Sequence, residues 1–263
     1  MSEEADQPTG SVRSMNSVLN TLRVFEEVAV RQPIGVSELA RVTEIPKGTV
    51  QRCLVTLRQA GWLKIMDPER ARWGVTRKVL ALGLRSTGER DLQDVAKPVL
   101  EGLAAETDET VILGLRDGEC LVILAREDTT QVVRVFLDVG TRVPLRATSG
   151  GTAIMALLDD AEVDELLRHE LTEFADAPVP DVAELRREIA QTAKRGYALN
   201  GSSSWYRPHV ASIGAAITNP LGHPIATVTL AIPEMRFHRA QEHTFAPLVM
   251  AAAAEISHLL TVD

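Results

Sequence analysis

Two short stretches carry residue types that can do chemistry. In "RATSGGT", residues 146–152, Ser149 stands before two glycines, and a serine on a sharp glycine-rich turn is how some acyl-transfer enzymes expose a nucleophile. The spacing does not complete that site. Ala147 occupies the first position of the GxSxG pattern, and no histidine or acid nearby forms an evident partner. A hydrolase using Ser149 is therefore the least favoured reading, and no enzyme is expected. The six histidines (169, 209, 223, 238, 243 and 258) include no i, i+4 pair and no HExxH, so no metal motif is present. Cys53 and Cys120 match no CxxC or Cys/His spacing and read as buried thiols. No cofactor is implied.

The second stretch is "PKGTVQRCLVTLRQAG", residues 46–61. Val50, Cys53, Leu54 and Leu57 recur at i, i+3, i+4 and i+7, the buried stripe of a helix. The opposite face carries Gly48, Gln51, Arg52, Val55 and Gln59, with Lys47 and Thr49 near the start and no acid among them. Arginine suits a bidentate contact with guanine and glutamine one with adenine, so this face has the chemistry to read base edges.

Such a helix has to be positioned by others. A first helix is expected from about Asn16 to Arg31, with Val18, Leu22, Phe25 and Ala29 on one face, and "QPIG" stops it. "GVSELARVTE" reads as a short helix with Gly35 as N-cap, Glu38 favourable to the helix dipole, and Leu39 and Val42 inward. Pro46 then opens the quoted helix at its first position and Gly61 ends it. "WLKIM", the turn "DPERA" and "RWGVT" form a hairpin. Three helices and a hairpin make a winged helix-turn-helix, whose later helix enters the DNA major groove in known examples. Lys47, Gly48, Thr49, Gln51 and Arg52 would face the DNA, and Lys64, Arg70 and Arg72 of the wing would reach the flanking backbone. Winged helices also serve as protein-interaction modules without DNA affinity, which is the alternative reading of this segment.

Charge divides along the chain in the same place. The net charge of −8 is the sum of +4 over residues 1–90 and −12 over the rest, an asymmetry that suits a nucleic-acid module joined to something else. Residues 1–13 lack periodicity and read as a flexible tail, 14–75 as the winged helix-turn-helix, "TRKVLALGLRS" within 76–90 as a linker helix, and 91–263 as a second domain. No apolar run approaches a membrane span and no signal peptide is visible; a cytoplasmic protein with no membrane partner is expected.

The second domain begins with a helix from Leu92 through Ala105, with Val95, Val99 and Leu103 on one face. Extended runs follow at "TVILGLR", "ECLVILARE" and "QVVRVFLDV", the first two joined by Asp117-Gly118. Helices are expected around 151–158 and 161–169, and then in "DVAELRREIAQTAKRG", with Asp181 as N-cap, a Val182, Leu185, Ile189, Ala193 stripe and Gly196 as stop. Two strands, "VASIGAAI" and "PIATVTLAI", precede a final helix buried through Phe245, Leu248, Val249, Ala252, Ile256 and Leu259. This order gives an α+β fold, an antiparallel sheet flanked by helices. Arg142 and Arg146 flank Pro144 near the glycine turn, where they can supply positive charge or simply be solvated.

Four segments in this order, "VSELARVTEIPKGTVQRCLVTLRQAGWL", "GTRVPLRATSGGTAIMALL", "AKRGYALN" and "ASIGAAITNPLGHPIATVTLAIP", strongly resemble the IclR family of bacterial transcriptional regulators over about residues 14 to 260. The resemblance implies a winged-helix DNA-binding domain, a linker helix used in dimerisation, and an effector domain similar to GAF and profilin-like folds. It implies double-stranded operator DNA, a small-molecule effector such as a carboxylate or aromatic compound, and a homodimer or dimer of dimers as partners. Carried onto this sequence, the family pocket borders "RATSGGT" and places Ser149 and Gly150 near the ligand, with Asn200, Ser212 and Thr229 as further contacts and Ala231 on the same face. Backbone N–H groups of a glycine-rich turn can cradle an anion, although the same turn also reads as a plain connection before a helix. Some relatives hold a metal in this domain. The chain departs from the family at Thr152, where a lysine is common, and in "NGSSSWYRPH". There Trp205 and Tyr206 beside Arg207 could wall a pocket, pack on a partner subunit or lie on the surface.

Overall fold

The structure, a computed structural model, describes residues 14–83, 89–168, 181–200 and 208–261. The tail 1–13, residues 84–88 of the expected linker, and Trp205, Tyr206 and Arg207 lie outside the described residues. The chain divides into two compact units, Met1–Thr87 and Gly88–Asp263.

In the first unit, α1 (Asn16–Arg31), α2 (Val36–Thr43) and α3 (Lys47–Gln59) precede a hairpin of β1 (Leu63–Asp67) and β2 (Arg72–Val75), then α4 (Lys78–Gly83). Val50, Cys53, Leu54 and Leu57 of α3 pack with Val24, Val28, Ile34, Leu39, Ile45, Leu63 and Trp73 in one core. A single bridge, Ile34 to Trp73, ties the α1–α2 connection to the wing. Pro46 is the N-cap of α3, in extended geometry (φ −53°, ψ 135°), one position earlier than expected.

The buried face of α1 differs from the expected one. Val24 and Val28 are fully buried and Phe25 packs edge-to-face on Trp62 at 5.5 Å, while Val18 and Leu22 are each 49% exposed. Thr21, Val24, Phe25 and Val28 satisfy the same helical spacing as the stripe read from sequence, so periodicity left two candidate faces and packing against α3 chose between them.

The second unit is built on a six-stranded antiparallel sheet in the order β5-β4-β3-β8-β7-β6: β3 (Thr110–Asp117), β4 (Cys120–Glu127), β5 (Arg142–Pro144), β6 (Ala198–Asn200), β7 (Val210–Thr218) and β8 (Pro224–Pro233). One face is covered by α5 (Glu89–Thr107) and α9 (Arg239–Leu259), which share a core with Val111, Leu113, Ile213, Val228 and Leu230. The opposite face carries α6 (Ser149–Met155), α7 (Asp160–Arg168) and α8 (Val182–Arg195) over Ile112, Leu121, Ile123 and Ala231. Asp181 caps α8 by accepting from Ala183 N and Glu184 N, and Gly196 stops it at φ 86°. On α5 the buried line is Leu92, Ala96, Leu100 and Leu103, with Val95 and Val99 at its margin. The β3–β4 turn is Gly118–Glu119, since Asp117 still pairs with Cys120.

Residues 131–139 are not a strand, contrary to the sequence expectation. Val135 and Leu137 are buried and their neighbours exposed, so the alternation is real. The backbone is held by side chains instead of a ladder: Thr110 Oγ1 donates to Val135 O at 3.1 Å, Arg236 Nη1 to Val133 O at 2.5 Å, and Arg126 Nη1 to Leu137 O. Period two reports one buried side and says nothing about pairing. Beyond it, β5 takes the outer edge of β4.

The glycines of "RATSGGT" are packing residues. All of α6 is buried, and its N-cap Thr148 accepts from Gly151 N at 3.1 Å. A Cβ on Gly151 would lie 2.0 Å from Leu145 O, and one on Gly214 of β7 would lie 2.8 Å from Gly150 N. The turn read as a plain connection is thus the first turn of a helix pressed onto the sheet. Gly151→Ala should destabilise the second unit by about 1–3 kcal/mol or more, because its neighbour is backbone that cannot rotate away; a denaturant midpoint equal to that of the parent would show the approach to be looser than described.

Candidate nucleic-acid interface and effector cavity

In the first unit, Lys47 and Gln51 of α3 share a surface groove with Arg70 and Arg72 of the wing and with Gly35, Ser37 and Glu38 at the start of α2. Thr49 and Arg52 line a second groove with Ser17, Val18, Thr21 and Leu22 of α1, and Arg52 Nη2 donates to Thr49 Oγ1 at 3.3 Å. A Cβ on Gly48 would meet nothing within 4 Å, so the backbone there is open to close approach. Arg72 is not a bare cation: its Nη1 lies 3.0 Å from Glu38 Oε2. The pair is exposed, so it holds the wing side chain only weakly. Lys64 is exposed on β1 and lines neither groove.

In the second unit, a cavity opens between the sheet, α6 and the 131–139 segment. Six residues singled out from the sequence, Ser149, Gly150, Asn200, Ser212, Thr229 and Ala231, line it together. Strand register explains why. Asn200 pairs with Ser212 and Ser212 with Ala231, giving one row across the sheet; Gly214, Thr229 and Ile112 form the next; Ala216, Thr227 and Gly114 form a third. Paired residues point to the same face. Ser149 Oγ donates to Ser212 Oγ at 2.8 Å, joining α6 to the first row.

Apolar walls come from Ile112, Leu121, Ile123, Val143 and Val210 below, with Val135 and Leu137 of the crossing segment. No described residue lining the cavity is ionisable. The cavity volume is about 70 Å³, several times the ~10–15 Å³ that one water needs. The cavity therefore suits a compact metabolite.

Arg142 does not line this cavity. On β5 its neighbour Val143 takes the inward position, and the Arg142 guanidinium meets the Asp117 carboxylate at the β3–β4 turn. Arg146 donates to Leu167 O at 3.0 Å. Thr148, Gly114 and Thr227 are lining residues that the sequence reading passed over. Thr227 was within reach, since it lies two positions before Thr229 on one strand and so shares its face. Among the described residues no group of three His, Cys, Asp or Glu side chains is placed to hold a metal ion, and no helix is long and apolar enough to cross a membrane.

The crossing segment is fixed at its start by Asp108, at the α5–β3 turn in a left-handed conformation (φ 49°). Its carboxylate accepts from the Thr129 and Thr130 hydroxyls, the Gln131 amide and Thr130 N. Those bonds, that of Thr129 foremost, lower its pKa from 3.8 to about 2. Further along, Glu109, buried on β3's N-terminal side, holds Arg236 through both oxygens at 2.8 and 2.6 Å.

A helix-turn-helix unit with an exposed basic and amide-bearing face, and a sheet domain that contains a small cavity, are the two parts of a ligand-responsive DNA-binding protein. Comparison with known proteins gives the family. The IclR helix-turn-helix domain matches residues 17–64 and the C-terminal domain of bacterial transcriptional regulator IclR matches residues 84–258; the chain belongs to the IclR family. It is 28% identical to the HTH-type transcriptional regulator BhcR of Paracoccus denitrificans, over 95% of this chain and 88% of that one. It is 26% identical to the transcriptional repressor IclR of Escherichia coli, over 95% and 90%. Among solved structures, a transcriptional regulator from Rhodococcus sp. RHA1 superposes with a TM-score of 0.74 at 27% identity, covering 95% of this chain and 100% of that one. An IclR homologue from Microbacterium hydrocarbonoxydans complexed with 4-hydroxybenzoate has the same fold, with a TM-score of 0.76 at 21% identity over 94% and 100%. The protein is a DNA-binding transcriptional regulator with a C-terminal effector domain.

Because the Asp108 pKa is depressed, its stabilising contribution is complete above the ordinary carboxylate range and is lost as pH falls through about 4 towards about 2. Asp108→Asn, which keeps a side chain tolerant of positive φ, should melt below the parent at neutral pH, with the gap narrowing as pH falls from 5 to 3; a gap of constant size would remove the carboxylate from the account.

Proposed function

We propose that α3 reads operator DNA through Lys47, Gly48, Thr49, Gln51 and Arg52, and that Lys64, Arg70 and Arg72 of the wing contact flanking phosphates. Most of these side chains are exposed and basic or amide-bearing, and four of them meet in one groove. The protein acts in the cytoplasm as a homodimer or dimer of dimers, presenting two copies of α3 at half-sites about one helical turn apart or a multiple of that.

The effector is a small organic or aromatic acid bound in the sheet cavity by Ser149, Gly150, Asn200, Ser212 and Thr229, against Ala231. The observation that carries this is the cavity itself, where polar side chains from β6, β7, β8 and α6 converge between apolar walls. Arg142 has no part in it in this arrangement. With no ionisable side chain among the described lining residues, hydroxyl and amide donors bear the acid group. Occupancy alters DNA affinity only if the ligand binds one arrangement of the linker helices better than the other.

Arg52→Ala should lower affinity for the operator by about 1–3 kcal/mol and relax base choice, with the second unit still folded; footprints indistinguishable from the parent would displace α3 from its role. Operator affinity should fall steeply with added salt, as expected when several phosphates are contacted, and a flat dependence measured by fluorescence anisotropy would contradict that contact set.

A further inference from the structure

We propose that Thr227 is a specificity-determining residue of the effector cavity and that it selects a neutral oxygen, a hydroxyl or carbonyl, at the end of the effector away from its acid group. This rests on the cavity being the effector site. Thr227 is fully buried on β8 and lines the cavity, and its hydroxyl has no hydrogen-bond partner among the described residues. The Ser149 hydroxyl, by contrast, donates to Ser212, which leaves the Ser212 proton free to donate to a ligand. A buried hydroxyl without a partner is costly, so that of Thr227 is held ready for something that arrives.

Glycine backbone packs closely on either side of it. A Cβ on Gly150 would lie 2.9 Å from Thr227 Oγ1, and one on Gly114 would lie 3.1 Å from it. The remaining neighbour in its row is Ala216. A side chain at either glycine would have to displace the hydroxyl.

The chemistry of the cavity around it fixes what it can meet. Leu121 closes one side and no ionisable side chain is among the described lining residues, so a carboxylate buried there would be uncompensated. A neutral oxygen meets the Thr227 hydroxyl at no such penalty. The row containing Asn200 and Ser212 is four residues further along β8, at Ala231, a separation of about 13 Å. Its amide and hydroxyl groups are the better seat for the acid. The ligand class is therefore a hydroxy or oxo acid with its two oxygen functions at opposite ends.

The test uses the full chain and two probe pairs, 4-hydroxybenzoate with benzoate and 4-hydroxybutyrate with butyrate, in calorimetric titration and thermal melting. The parent should bind the hydroxylated member of at least one pair about tenfold or more tightly than its partner. Thr227→Val should erase that preference, and without ligand it should melt at or above the parent because the unmet hydroxyl is gone; Thr227→Ser should keep the preference. Equal binding of both members, a preference unchanged in Thr227→Val, or a ligand-free Thr227→Val protein melting several degrees below the parent would each overturn the assignment of Thr227. Binding of no probe at all would overturn the acid-effector reading itself, and this inference with it.

Discussion

The architecture of the second unit depends on one close approach, the first turn of α6 lying directly on β7. Gly214 meets the backbone of Ser149 and Gly150, and Gly151 meets the backbone of Leu145. Gly150 and Gly214, without side chains, let the helix sit close on the sheet, and Gly151 lets the preceding turn fold against the same helix. That proximity brings the Ser149 hydroxyl within reach of Ser212 and sets a polar helix start over the middle of β8. The cavity lies beside this approach, where Gly150 packs on the Thr227 and Thr229 hydroxyls and Gly114 on that of Thr227. The same short stretch therefore sets the packing and lines the cavity.

The first unit solves a different problem, holding a solvated basic face in place with a small core. The inner stripe of α3 is buried against α1, α2 and the wing, and the turn before it is fixed by Thr43, whose hydroxyl donates to Leu39 O and accepts from Ile45 N. Burial of one side leaves Gln51 and Arg52 with no structural duty towards the core. Their identity is then free to be set by what lies outside.

Strong local signals in the sequence corresponded to what the structure contains. The α3 stripe, the Asp181 cap and the Gly196 stop are each decided by residues a few positions apart, and each appears where expected. Two failures came from information that is not local. On α1 two faces have equal periodicity, and the choice lies with distant partners, the inner stripe of α3 and Trp62, 37 residues from Phe25 in sequence. For residues 131–139 the alternation was visible, but whether carbonyls face a strand or an arginine depends on Arg126 and Arg236. The site divides in the same way. Ser149 and Gly150 were marked by their unusual composition, whereas Thr227 looked like an ordinary strand threonine until register placed it opposite Gly114. Arg142 was chosen for charge and proximity in sequence, and strand alternation gave the inward position to Val143 instead.

The segment that roofs the cavity is tied down by Arg126 and Arg236 acting on its carbonyls, with no rung of the sheet involved. One codon change at either arginine would slacken the roof while every strand pairing survived. A lineage built this way can reshape the cavity by altering fastenings, leaving the strands that fold and the winged-helix unit as they were.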